Sequence, residues 1–168
     1  VYKRQALDYD SPPYAQSPDQ QIDIFDSIYD EIERFTGNPL TCEFLRLHFF
    51  TESYELSDYF RTKNIHSLFT TDKPDIAYRL DDDMKSILDS NGHVEFNKIN
   101  FIRSHFRIET LVNENYSDSE ICKLIENCLS KNSFVTFLTH ERELVRPKVR
   151  TTIELILMYL KDNKVMSV

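Results

Sequence analysis

Three short apolar runs in the chain each lead into basic and imidazole side chains. The run 44–50 sets Phe44, Leu45, Leu47, Phe49 and Phe50 around Arg46 and His48. The run 101–109 alternates Arg103, His105, Arg107 and Glu109 with Ser104, Phe106 and Ile108, and the run 134–141 passes from Phe134, Val135, Phe137 and Leu138 to His140 and Glu141. Runs of this length read as buried or half-buried strands. The segments between them have helical periodicity. Strands alternating with helices predict an α/β fold with mostly parallel strands, and such sheets carry their chemistry at the strand ends.

The helices announce themselves by their caps. Ser17, Pro18 and Gln20 combine an N-cap, a first-position proline and a capping-box partner. Ile22, Phe25, Ile28, Ile32 and Phe35 then follow at helical spacing, and Gly37 stands where a left-handed stop is expected. Further helices are predicted over 54–63, 81–90 and 148–161, and a second capping box opens one at Ser117 and Glu120. Strands are predicted over 42–50, 65–70, 134–139 and 165–168. A hairpin turning at Asn97-Lys98 is predicted to join 94–97 to one long strand, 99–108.

Composition removes several classes of function. Two glycines among 168 residues exclude a Gly-rich phosphate loop. A net charge of -8 argues against a nucleic-acid partner. Arg142, Arg146, Lys148 and Arg150 form a local basic patch that reads as a solvated helix edge. Cys42, Cys122 and Cys128 lack metal-ligand spacing and suit a reducing, cytoplasmic setting. No apolar run approaches a membrane span. Residues 1–19 read as an N-terminal tail and loop. Val1 to Gln5 resembles translated sequencing-adapter sequence, which implies that genuine sequence starts near Ala6 and that an upstream portion is missing.

From residue 20 to 168 the order of motifs resembles the polysaccharide deacetylase family, in its divergent branch associated with surface-polysaccharide and O-antigen loci. Tyr29 to Gly37 looks like the family's helix ending in Thr36-Gly37. Leu45, Arg46, Leu47, His48, Phe49 and Phe50 stand in place of the third motif, Arg-x-Pro-aromatic. Thr62 to Asp72 resembles the passage into the fourth motif, and Phe137, Leu138, Thr139 and His140 resemble the fifth. The resemblance implies the C-terminal portion of a distorted (β/α) barrel. It also implies removal of acetyl from N-acetylated sugars of a surface polysaccharide, assisted by a divalent metal such as zinc. The family's first motif, an Asp-Asp pair, and its second, two His four residues apart, have no counterpart here. His48 stands where the family has Pro, and no Trp follows Asp72. The parent enzyme is therefore expected to hold a metal that this chain does not.

The same resemblance makes His140 the acid for the leaving amine and Arg46 the residue that holds the catalytic carboxylate. Glu141 either orients the imidazole or is solvated. Arg46 and His48 share a strand face. Arg103, His105, Arg107 and Glu109 would form a second polar face, which either binds an anionic sugar or phosphate or lies in water. Asp72 reads as ligand or turn residue, and His66 and His93 as structural or exposed. Arg46, His48, Asp72 and His140 are expected to converge at one sheet end. Two other classes compete. One is a glycan-binding or structural module without chemistry. The other is a winged-helix regulator, suggested by Met84 to Leu88, Asn91-Gly92 and the hairpin.

Overall fold

A computed structural model describes residues 16–38, 42–47, 54–73 and 80–165. The chain divides into two compact units, residues 1–103 and 104–168. Each has its own apolar core.

The first unit opens with helix α1 (Pro18–Thr36), and the cap reading holds in detail. The Ser17 hydroxyl accepts from the Gln20 backbone N–H at 3.2 Å, and the Gln20 side chain accepts from the Ser17 N–H at 2.9 Å. Gly37 stops the helix at φ 70°, a conformation glycine adopts without a Cβ penalty. Strand β1 (Phe44–Leu45) follows, then a 3-10 turn (Tyr54–Leu56), helix α2 (Ser57–Thr62), strand β2 (Ser67–Phe69), helix α3 (Asp82–Asn91), and the strands β3 (His93–Phe96) and β4 (Ile99–Ile102). Asp81 caps α3 through the Met84 N–H at 2.8 Å, and Gly92 closes it at φ 74°.

The sheet order is β1-β2-β4-β3, parallel between β1 and β2 and between β2 and β4, antiparallel between β4 and β3. The helix crossing from β1 to β2 is what a parallel pair requires. Phe60, Ile65, Leu68, Leu88, Ile99 and Phe101 are fully buried between the sheet and its helices. At α1 the packing ends in a polar knot. Asp26 accepts from the Tyr59 hydroxyl at 2.9 Å and pairs with Lys63 at 2.6 Å, and the ammonium lies over the Tyr29 and Tyr59 rings. Hydrogen bonds from Lys63 and Tyr59 hold the Asp26 carboxyl below its ordinary pKa. Burial pushes the Tyr29 hydroxyl up to about 12.

The second unit runs strand β5 (Phe106–Arg107), helix α4 (Ile108–Asn113), helix α5 (Asp118–Lys131), strand β6 (Phe137–Leu138), a 3-10 segment (Glu141–Val145) and helix α6 (Pro147–Asp162). The α5 capping box is complete, Ser117 with Glu120. Strands β5 and β6 are parallel, and Phe106 stacks on Phe137 across them. Ile108, Leu111 and Val112 of α4 close a core with Ile121 and Ile125 of α5 and Val149 and Ile156 of α6.

The fold is thus α/β with mostly parallel strands. Among the described residues the strands do not close a barrel: they form one four-stranded and one two-stranded sheet. The expected long strand 99–108 is three things. It pairs as β4 to Ile102, leaves that sheet over Arg103 to His105, and joins the second, two-stranded sheet as β5, after which Ile108 begins α4. The Arg103 to Glu109 row is therefore not one strand face. The hairpin is not a wing either, because β4 is an inner strand paired on both sides. The strand expected over 42–50 is seen at Phe44–Leu45, with 48–50 outside the described residues. Val165 is not in a strand, and 166–168 also lie outside them.

Candidate functional site

The parallel pair β5–β6 sets the geometry of the strongest candidate. Phe106 is in register with Phe137 and Arg107 with Leu138. Two positions beyond Arg107 and Leu138 stand Glu109 and His140, just past the carboxyl ends of the two strands. Glu109 lies in the first turn of α4, and His140 directly precedes the 3-10 segment. His140 Nδ1 and Glu109 Oε1 are 2.5 Å apart. The carboxylate is almost buried and the imidazole about a third exposed, at 10% and 36% of the side chain.

Burial works against the charged form of Glu109. Hydrogen bonds from His140, from its own backbone N–H and from Thr139 outweigh it, and the carboxyl is held below its ordinary pKa. The first turn of a helix also favours a negative charge. The Thr139 hydroxyl lies close enough to contribute, yet Thr139 Oγ1 and Glu109 Oε2 are both buried without a partner at full hydrogen-bond geometry. An ionised Glu109 can only accept, so Nδ1 of His140 carries the proton and donates it. That assigns the tautomer: the neutral ring presents a lone pair at Nε2, and the charged ring presents an N–H there. An imidazole backed by a carboxylate in this way can take a proton at Nε2 and return it.

The other expected site residues are placed as follows. Glu141 is exposed, and Glu109 rather than Glu141 orients the imidazole. His105 is locked one register step before β5: its Nδ1 accepts from the Thr136 backbone N–H at 3.2 Å, and the Thr136 hydroxyl is 2.9 Å away. Its ring meets Phe134 edge-on, so His105 serves the strand pair. Arg107 is half-buried in β5. In the first unit, Arg103 pairs with Asp89 at 2.6 Å and ties the end of β4 to α3. Arg46 is exposed directly after β1, and Asp72 is half-buried in the bend after β2. As β1 and β2 are parallel neighbours, both lie at the same sheet end. His48 is outside the described residues. The pairing of His140 with Glu109 is what residue reading missed. Its signal was Ile108, Leu111 and Val112, whose spacing marks a helix starting at Ile108 rather than a continuing strand.

The residues were also tested as a metal site. Among the described residues no three His, Cys, Asp or Glu gather to hold an ion. Glu109 Oε1 and His140 Nδ1 are engaged with one another. The residues described do not fit the metal that the sequence resemblance implies.

Fold and site together define an α/β protein with mostly parallel strands and a carboxylate-backed histidine at a strand end. The chain matches no family model, no curated protein and no solved structure. No helix among the described residues is long and apolar enough to cross a membrane.

Proposed function

We propose that the chain is the C-terminal part of a carbohydrate deacetylase, a hydrolase acting on N-acetylated sugars, and that His140 is its proton donor to the leaving amine. The observation that carries this reading is the Glu109–His140 pair at the carboxyl ends of β5 and β6. Amide cleavage releases a strongly basic amine, which leaves only as it is protonated. A strand-end imidazole whose Nδ1–H is held by a carboxylate can take a second proton at Nε2 and, as the imidazolium, deliver it to the departing nitrogen. Arg107, half-buried in β5, supplies a polar contact to the sugar in this reading. Any metal would take its ligands from outside the described residues.

The 168-residue chain can be tested directly. Titration with an N-acetylglucosamine oligomer, followed through the ring resonances of His140, is expected to give a saturable shift in the millimolar range, about -4 kcal/mol of binding. The deacetylated oligomer is expected to shift them less. An unperturbed His140 at saturating oligomer would count against the assignment.

A further inference from the structure

The imidazole of His140 begins a segment that packing does not hold. None of the residues Glu141 to Val145 is buried, and Val145 is 77% exposed. The segment is held by polar ties instead. The Glu143 backbone N–H donates to the His140 carbonyl at 2.8 Å. Arg146 donates through Nη1 to Glu143 Oε2 and through Nη2 to Asn113 Oδ1, both at 2.8 Å. Arg150 donates to the Leu144 carbonyl at 2.6 Å. Asn113 is the last residue of α4, and Glu109 lies in its first turn. The residues flanking the segment are therefore tied to the two ends of α4, His140 to Glu109 and Arg146 to Asn113. The contacts close a ring from His140 through Glu109, α4, Asn113, Arg146 and Glu143 back to His140.

We infer that Arg146 is a positioning residue for His140. By bridging Glu143 and Asn113, it holds the start of the 3-10 segment against α4 and keeps the imidazole on Glu109. This deepens the reading of His140 as the proton donor and rests on it. Two members of the ring are already rigid. Helix α4 is anchored by buried Ile108, Leu111 and Val112, and Arg146 directly precedes α6, where Val149 is fully buried. The guanidinium is the link between them. Its fork reaches two acceptors at once, which a single ammonium does less well. Arg146 is itself part-exposed, with 39% of its side chain accessible, so the pairing adds little to global stability. Its effect falls on the orientation of the ring.

The test is the tautomer of His140, read from ring-nitrogen NMR of the whole chain at a pH where the ring is neutral. Wild type is expected to show mainly Nδ1–H. Arg146→Ala and Asn113→Ala are each expected to lower the ratio of Nδ1–H to Nε2–H by about two- to fivefold, the factor a part-exposed charge pair is worth. Arg146→Lys is expected to recover part of the loss, while the His66 and His105 rings stay unchanged. Asn113→Ala removes one arm at an exposed position and carries the test if Arg146→Ala does not fold. A wild-type ratio retained in Asn113→Ala and in a folded Arg146→Ala would overturn the positioning role and leave the function reading standing. A wild type without a predominant Nδ1–H would overturn both.

Discussion

Glu109, in the first turn of α4, and His140, just after β6, each stand two positions beyond the last paired residue of the parallel strands β5 and β6, and their side chains meet at 2.5 Å. That placement explains why a buried carboxylate is tolerated there. Register delivers the one side chain that can neutralise it, and the helix start supplies a backbone donor.

The pair has a consequence for acid stability. The Glu109 carboxyl is lowered from 4.5 in the folded state. A lowered carboxyl contributes stability that is present above the unfolded value and is lost as pH falls through the folded value. Glu109→Gln removes that contribution. Urea unfolding at a series of pH values is therefore expected to show the variant less stable than wild type at neutral pH, with the difference shrinking below about pH 4.5. A difference independent of pH would mean that the carboxyl is not held down by folding.

The β3–β4 turn stores a removable strain. Asn97 and Lys98 both have positive φ, 52° and 65°. Such a turn favours Asn followed by Gly, and Lys at the second position bears the left-handed penalty. Lys98→Gly is expected to stabilise the protein by about 1 kcal/mol, read as a higher urea midpoint at unchanged slope. A lower midpoint would show that the Lys98 side chain makes a contact worth more than the strain.

Metal content separates a self-sufficient site from a partial one. A catalytic centre needs about three protein ligands and an open position, and no such group forms among the described residues. Elemental analysis of the dialysed 168-residue chain is expected to find well under one equivalent of divalent metal, with no acetate released from N-acetylated oligosaccharide. A stoichiometric metal accompanied by turnover would show that the chain carries its own complete centre.

Much of the fold could be read from local chemistry, because caps and turns are decided within a few residues. Ser17 with Gln20, Ser117 with Glu120, and the Asn97-Lys98 turn all appear where residue type alone places them. The break after Ile102 could not be read that way. Alternation continues from Ile99 to Ile108, but β4 finds its partners in β2 and β3, and β5 finds its own in β6. A choice of partner strand is a long-range fact that periodicity does not carry. The same limit applies to the site. His140 could be marked as a strand-end imidazole, yet its partner Glu109 lies 31 residues earlier and is identified only once β5 and β6 are in register. Arg103 and His105, read as one face with Arg107, are instead held by Asp89 and Thr136.

The central claim is that His140, held by Glu109, protonates the amine that leaves. The most direct measurement is acetate release from an N-acetylated oligosaccharide by the full-length protein, with wild type compared to His140→Ala and Glu109→Gln. The account expects His140→Ala to lower kcat by about 10²- to 10⁴-fold with KM little changed. Glu109→Gln is expected to lower kcat by a smaller factor. Wild-type kcat in His140→Ala, or oligosaccharide binding with no acetate released by the wild type, would contradict it.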